Sequence, residues 1–284
     1  MYRPRGIPVT IAMSSDLVFV MDQQSDSVRP GPLFSFIRAL KAVNDHLLQY
    51  YKKSKELFKV LLIADNSSGS LTSTIRDNEL EELIIALFVS EENLLRELKR
   101  NRTQLYLSTE NSKVQEALAN DIAAAVVQIP EQMKEVSETE LRVAFDGDAV
   151  IFSNESEFVF AEQGLQAFLE HERKHVEDPM KKGPLTGFLK SLESLKKKLR
   201  DKGLKSNMIR TYLVTSRGPG CAGYRALNTL QRWDLEMDEA VFLGGTGKGP
   251  TLQRIGPHIF FDDQERHVED ALAVGTLACQ VPDN

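Results

Sequence analysis

The 284 residues contain only two cysteines, Cys221 and Cys279, too few for a disulfide framework or a cysteine-rich metal cluster. Two reduced thiols suit a cytosolic protein, and the chain is expected to be cytoplasmic. No apolar run reaches the about 18 residues that a membrane helix needs, so no membrane partner is expected. Met1 to Thr10 carries arginines but no apolar stretch before a small-residue cleavage site, and a secretory leader is not expected either. Positive charge is also not in excess: 35 Lys and Arg face 41 Asp and Glu, a net charge of −6. That balance argues against a nucleic acid polymer as the main partner. A small phosphorylated substrate stays open, because a few local cations and a metal can hold it whatever the global charge.

What is present is an ordinary globular composition, 42% hydrophobic and 27% charged, on a chain long enough for one large domain or two ordinary ones. Short apolar runs alternate with longer amphipathic stretches. Strands are expected at Val9 to Met13, Val60 to Ile63, Gln104 to Leu107, Ala124 to Ile129 and Leu141 to Phe145. Four more are expected at Thr211 to Val214, Ala240 to Leu243, His258 to Phe261 and Thr276 to Val281. Helical stretches include Leu33 to Tyr51, Leu185 to Arg200 and Tyr224 to Gln231. This alternation predicts an α/β fold with a mostly parallel sheet, whose ligands bind at the carboxyl ends of the strands.

The two halves resemble each other. The run from Gly31-Pro32-Leu33 to Leu40 matches that from Gly183-Pro184-Leu185 to Leu192. Leu105 to Thr109, continuing to Val114 and Leu118, matches Ile259 to Asp263, continuing to Val268 and Leu272. Gln128-Ile129-Pro130 matches Gln280-Val281-Pro282, and Ala12 to Asp16 sits against Ala144 to Asp148. The last pair stands closer in sequence than the other three, as an insertion between Asp148 and Gly183 would produce. Four matches in one order predict an internal duplication, with the boundary in the polar stretch Glu131 to Glu140. The expected units are a degenerate, non-catalytic α/β half over 1–135 and a catalytic half over 136–284. In the first half, Ser14 stands where Asp146 should be, Ala64 where Thr215 should be, and Ser108-Thr109 where Asp262-Asp263 should be. Only Asp16 keeps its acid, so that half is expected to have kept the fold and lost the metal site.

Leu141 to Phe145 runs directly into Asp146-Gly147-Asp148, and His258 to Phe261 runs into Asp262-Asp263. Asp and Gly are ordinary turn residues. Two carboxylate pairs at strand ends of one sheet, however, would repel strongly without a cation between them. Oxygen ligands of this kind suit Mg²⁺. Thr211 to Val214 ends in Thr215-Ser216-Arg217-Gly218, which offers hydroxyls and backbone N–H groups to a phosphoryl oxygen. Gly244 to Pro250 places Lys248 in what reads as a flexible loop after a strand, where it can neutralise phosphate and carboxylate charge.

The order Asp-x-Asp, Thr, Lys, Asp-Asp, each tied to a strand end, resembles the haloacid dehalogenase-like phosphohydrolases. The stretches Leu141 to Val150, Ile209 to Thr215 and Pro257 to Gln264 resemble the cytosolic 5′-nucleotidase type I family more closely. The resemblance is looser before Leu141, although Arg29-Pro30-Gly31-Pro32 and the helix after it also look like the family. It implies a Rossmann-like core with a small helical cap. It also implies a Mg²⁺-dependent hydrolase of nucleoside 5′-monophosphates of the AMP or IMP class, working through an aspartyl-phosphate. Residue by residue, Asp146 would be the nucleophile and Asp148 the general acid and base. Mg²⁺ would be held by Asp146, Asp262 and the backbone carbonyl of Asp148, with Asp263 in support. Thr215, Ser216 and Lys248 would hold the phosphoryl oxygens. A nucleoside phosphotransferase, or a phosphatase of another small phosphomonoester, is the alternative.

The long connection between Asp148 and Thr215 predicts a helical cap over about 154–207, built from helices at Phe158 to His175 and Leu185 to Leu199. Phe158, Phe160, Phe168 and His171 are its candidates for contacting the base, although aromatics at such spacing more often serve a core. His171-Glu172-Arg173-Lys174-His175 matches the H-E-x-x-H pattern of zinc peptidases. Its helix must end before Pro179, and the next plausible carboxylate, Glu193, lies beyond Gly183-Pro184. The segment is therefore read as a polar cap helix. Gly247-Lys248-Gly249 lacks the following Ser or Thr of a nucleotide-triphosphate loop. A homo-oligomer is left open by the sequence.

Overall fold

The computed structural model of the protein describes residues 7–21, 28–64, 69–201 and 208–282. The first half contributes β1 (Val9–Ser14), a hairpin of β2 (Phe19–Met21) and β3 (Val28–Pro30), α1 (Phe34–Tyr50), β4 (Phe58–Ala64), α2 (Gly69–Asp77) and β5 (Ile84–Phe88). It continues with α3 (Glu91–Arg100), β6 (Leu105–Ser108), α4 (Asn111–Leu118) and β7 (Ala124–Gln128). The second half contributes β8 (Leu141–Phe145), α5 (Glu155–Lys174), α6 (Thr186–Arg200), β9 (Ile209–Thr215) and α7 (Cys221–Arg232). After these come β10 (Glu239–Phe242), α8 (Gly249–Ile255), β11 (Ile259–Asp262), α9 (Glu265–Ala273) and β12 (Ala278–Gln280). Every strand expected from the sequence is present. β5 and the β2–β3 hairpin are additional, because a short apolar run such as Ile84–Phe88 cannot be assigned to strand or helix by periodicity alone.

Among the described residues, ten strands form one sheet in the order β10-β9-β8-β11-β12-β7-β6-β1-β4-β5. All neighbours are parallel except β12 and β7. Counted outward from that antiparallel seam, the first half runs β7-β6-β1-β4-β5 and the second runs β12-β11-β8-β9-β10. Cys279 faces Val127 at the seam. The glutamines of the two Gln-x-Pro motifs meet there, with Gln128 Nε2 donating to Gln280 Oε1 at 3.0 Å. Because the seam is antiparallel, the carboxyl ends of the two strand sets lie at opposite edges of the sheet. Ser14 and Ser108 therefore stand at the edge away from Asp146 and Asp262.

Strands covered on both faces read as near-continuous apolar runs, and β8 follows this rule. Val143 and Phe145 face a core shared with α1 and α6, whereas Ala144 faces the other layer, with Leu252 of α8 and Val268 of α9. Phe145, Phe188 of α6 and Phe261 pack ring against ring at 5.3 and 6.3 Å between centroids. Each such side chain contributes roughly 1.5–3 kcal/mol on burial. α6 belongs to this core: Phe188, Leu189, Leu192, Leu195 and Leu199 are all buried. The sequence places α6 in the cap, but its apolar stripe is committed to the sheet. α5, by contrast, buries only Ser156 and Glu172 and is broken at Gly164, where φ is +79°. Residues 202–207, at the end of the expected cap, lie outside the described residues.

The repeated Gly-Pro-Leu motif has one physical role in both halves. A Cβ on Gly31 would stand 2.7 Å from the Leu17 carbonyl oxygen, and one on Gly183 would run into the carbonyl oxygens of Phe152 and Val150. Each glycine lets the helix start (α1 or α6) press against the backbone that follows the first strand of its half.

Candidate active site

β8 delivers Asp146 to the carboxyl edge of the second half, where its N–H donates to the Phe261 carbonyl. β11, the next strand, ends in Asp262 and is followed by Asp263. One carboxylate oxygen from each of Asp146, Asp262 and Asp263 lies within 4.8 Å of the others. Lys248 stands at the N-cap of α8. It is fully buried rather than set in a flexible loop, because Asp270 accepts its backbone N–H at 3.0 Å. Its Nζ donates to Asp146 Oδ1 at 2.5 Å and to Asp262 Oδ2 at 2.6 Å.

The electrostatics of the cluster are unbalanced, with three carboxylates around one ammonium. Burial, opposed by Lys248 and reinforced by Asp262 and Asp148, pushes the Asp146 carboxyl up to about 7. Burial with the neighbouring charges of Asp146, Glu157 and Asp262 pushes Asp263 up to about 9. Asp262 is held low: burial alone would raise it, but Lys248 and the hydrogen bond to His267 outweigh that. Asp263 Oδ1 is buried without a hydrogen-bond partner. An orphaned hard oxygen beside two more carboxylates fits a divalent cation such as Mg²⁺. Among the described residues this is the one group of three or more side chains placed to hold a metal. His171 and His175 stack with ring centroids 4.4 Å apart and belong to no such group.

The remaining expected residues fall around this cluster. Thr215, the last residue of β9, is buried, and its Oγ1 accepts the Arg217 N–H at 3.2 Å, leaving its own O–H to donate. Ser216 Oγ lies 3.3 Å from His267 Nε2, and His267 Nδ1 lies 3.1 Å from Asp262 Oδ1. The Asp148 carboxylate is not in the metal group; Arg217 grips it with Nε and Nη2, both at 2.7 Å. Of the α5 aromatics, Phe158 and Phe160 are exposed, and Phe168 lies 5.6 Å from the Arg217 guanidinium. His171 Nε2 lies 3.5 Å from Arg225 Nη1.

Sequence reasoning did not single out Arg217, Arg225, Glu172 or His267 for the site. Arg217 carried one usable signal, its place two residues after Thr215 at a strand end. Glu172 was visible only as the acid of a zinc pattern.

A 5′-nucleotidase family profile matches residues 14–284, through both halves of the sheet. Human cytosolic 5′-nucleotidase 1B is 41% identical over 252 residues, which make up 88% of this chain and 41% of that protein. The chain thus spans less than half the length of that curated relative. With the acidic strand ends, Thr215 and Lys248 all inside the matched span, the chain belongs to the 5′-nucleotidase family, in keeping with the cytosolic type I resemblance of its motif stretches.

Proposed function

We propose that the protein is a Mg²⁺-dependent 5′-nucleotidase that hydrolyses nucleoside 5′-monophosphates of the AMP and IMP class. The carrying observation is the convergence of Asp146, Asp262, Asp263 and Lys248 at adjacent strand ends, two residues from a second acid, Asp148. The family match and the name of the human relative support the nucleotide as substrate and the cytoplasm as location.

In the first step the Asp146 carboxylate attacks phosphorus, the bond to the 5′-oxygen breaks, and Asp148 gives that oxygen its proton. In the second step Asp148 takes a proton from water, whose oxygen attacks the aspartyl-phosphate. Phosphate leaves, and Asp148 is again protonated. Thr215 and Ser216 donate hydroxyl hydrogens to phosphoryl oxygens, and the Lys248 ammonium offsets the charge of the transferring group. When bound by Asp146, Asp262 and the Asp148 carbonyl, with Asp263 in support, Mg²⁺ supplies charge neutralisation and orientation of the phosphoryl group.

We read the first half, 1–135, as a non-catalytic duplicate of the second, 136–284. The matched strand orders, the paired glutamines at the seam and the shared role of Gly31 and Gly183 support this reading. It predicts a single Mg²⁺ per chain by calorimetric titration; a second bound ion that survives Asp146→Asn would defeat it.

The activity is tested by phosphate release from a panel of nucleoside 5′-monophosphates with Mg²⁺, comparing wild type with Asp146→Asn. Release that vanishes in the variant supports the reading, and an active variant refutes the nucleophile. Adding a nucleoside acceptor separates hydrolysis from phosphotransfer, because the latter produces a new nucleotide in place of free phosphate.

A further inference from the structure

Glu172, the acid of the unused H-E-x-x-H pattern, is completely buried in a cap helix that is otherwise largely exposed. Both of its oxygens are engaged. Oε1 accepts from Ser156 Oγ at 2.7 Å and from Arg225 Nη1 at 2.8 Å, while Oε2 accepts from Arg217 Nη1 at 2.5 Å. Ser156 lies before the Gly164 break and Glu172 after it, so the bond closes the two arms of α5 on each other. Arg225, from α7, also reaches Glu155 at the start of the same helix.

Arg217 uses all five of its N–H donors. Nε and Nη2 hold Asp148, Nη2 also reaches Met180 Sδ at 3.1 Å, and Nη1 donates to Glu172 and to the Ala222 carbonyl at 3.2 Å. Phe168, one turn before Glu172, lies against the same guanidinium. A planar fork fixed along every edge cannot turn, and bidentate pairing passes its orientation to the bound carboxylate. A reacting group displaced by about 1 Å can cost roughly 100-fold in rate.

We propose that Glu172 is a positioning residue for the acid–base step: from the cap it orients Arg217, Arg217 fixes the carboxyl group of Asp148, and proton transfer at Asp148 therefore requires a seated cap. The inference rests on the proposed hydrolysis and adds to it a link between the cap and the leaving group. A 5′-alkoxide needs the proton from Asp148 as its bond to phosphorus breaks. A nitrophenolate leaves without one. In the first step, a positioning defect therefore shows as a dependence on the leaving group, which a merely structural role would not create.

The test compares Glu172→Gln and Arg217→Lys with wild type, using AMP and 4-nitrophenyl phosphate with Mg²⁺, and takes Asp148→Asn as the reference pattern. The expected result is a kcat on AMP lowered roughly 100-fold, within the range a general acid supplies, with KM little changed. The first step with the aryl ester, read as the burst of nitrophenolate before steady state, should stay close to wild type, because there Asp148 is needed only in the later attack of water. Equal losses in the first step on both esters, read by single-turnover and burst kinetics, or undiminished turnover of AMP, would overturn the proposal. Glu172→Gln leaves two buried guanidiniums short of a counter-charge and can fail to fold. Arg217→Lys keeps the charge, loses the fork and is read by the same comparison. If wild type cleaves the aryl ester but no nucleotide, the nucleotidase reading fails alone, and methyl phosphate replaces AMP in testing the positioning role.

Discussion

Lys248 Nζ bridges Asp146 and Asp262 at 2.5 and 2.6 Å, so a single buried ammonium joins the ends of β8 and β11. Both carboxylates are desolvated, and neither would tolerate loss of the cation. Lys248→Met is expected to lower phosphate release by roughly 100-fold or more, as loss of a transition-state charge partner does. The metal-free protein should also lose about 3–5 kcal/mol of stability, the cost of breaking a buried pair. Turnover and urea unfolding in chelator measure the two effects, and an unchanged unfolding midpoint would show that the bridge holds nothing together.

Asp263 should behave in the opposite way. Its carboxyl is pushed up to about 9, chiefly by burial and by Asp146, and one of its oxygens has no partner. Asp263→Asn removes the cost of protonating this carboxyl on folding at neutral pH, so the metal-free variant should melt no lower than wild type. The rise in melting temperature on adding Mg²⁺ should shrink, because ligand binding stabilises in proportion to affinity. A variant with the full wild-type response to Mg²⁺ would remove Asp263 from the metal site.

The same groups set a pH dependence. Unfolded carboxyls titrate near about 4, whereas Asp146 and Asp263 are raised to about 7 and about 9 in the fold. Between those limits the folded state holds protons that the unfolded state has released. Stability of the metal-free protein should therefore be fully present below about 4 for these two groups and fall as pH rises through about 7 and about 9. The depressed Asp262 acts only on the acid side. Urea midpoints in chelator should decline across this window, and saturating Mg²⁺ should flatten the decline. A midpoint that climbs with pH would contradict the burial of uncompensated charge.

Gly183→Ala and Gly31→Ala each force a Cβ onto backbone carbonyls and should cost up to about 3 kcal/mol, the scale of overpacking. Gly187→Ala, also at the start of α6, meets nothing within 4 Å and should be neutral or gain up to about 1 kcal/mol in helix propensity. Urea unfolding of the three variants checks the contrast. Equal effects at Gly183 and Gly187 would mean that close approach is not what the repeated glycine provides.

Much of the fold was legible because apolar runs such as Leu141–Phe145 and Ile259–Asp262 announce buried parallel strands by composition alone. The chemistry at their ends was legible for the same reason: a carboxylate directly after a buried strand has few places to go. Other features were hidden. Ile84–Phe88 carries no periodicity that separates strand from helix. Leu185 to Leu199 reads as a good amphipathic helix whether it caps a site or covers a sheet. Lys248 reads as a solvated lysine until Asp270 is seen to fix its backbone and two acids its ammonium.

By itself, then, the sequence determined the alternating α/β architecture, the acidic strand ends, and the placement of Thr215 and Lys248 after strands, because each follows from local pattern. Only the tertiary structure decided which charges meet. It committed Asp148 to Arg217 rather than to the acidic cluster, joined Glu172 to two arginines, placed α6 in the core, and set the two halves in opposite directions across the β7–β12 seam. Pairing of buried charges depends on distances between residues remote in the chain, and desolvation makes those distances decisive; no local spacing encodes them.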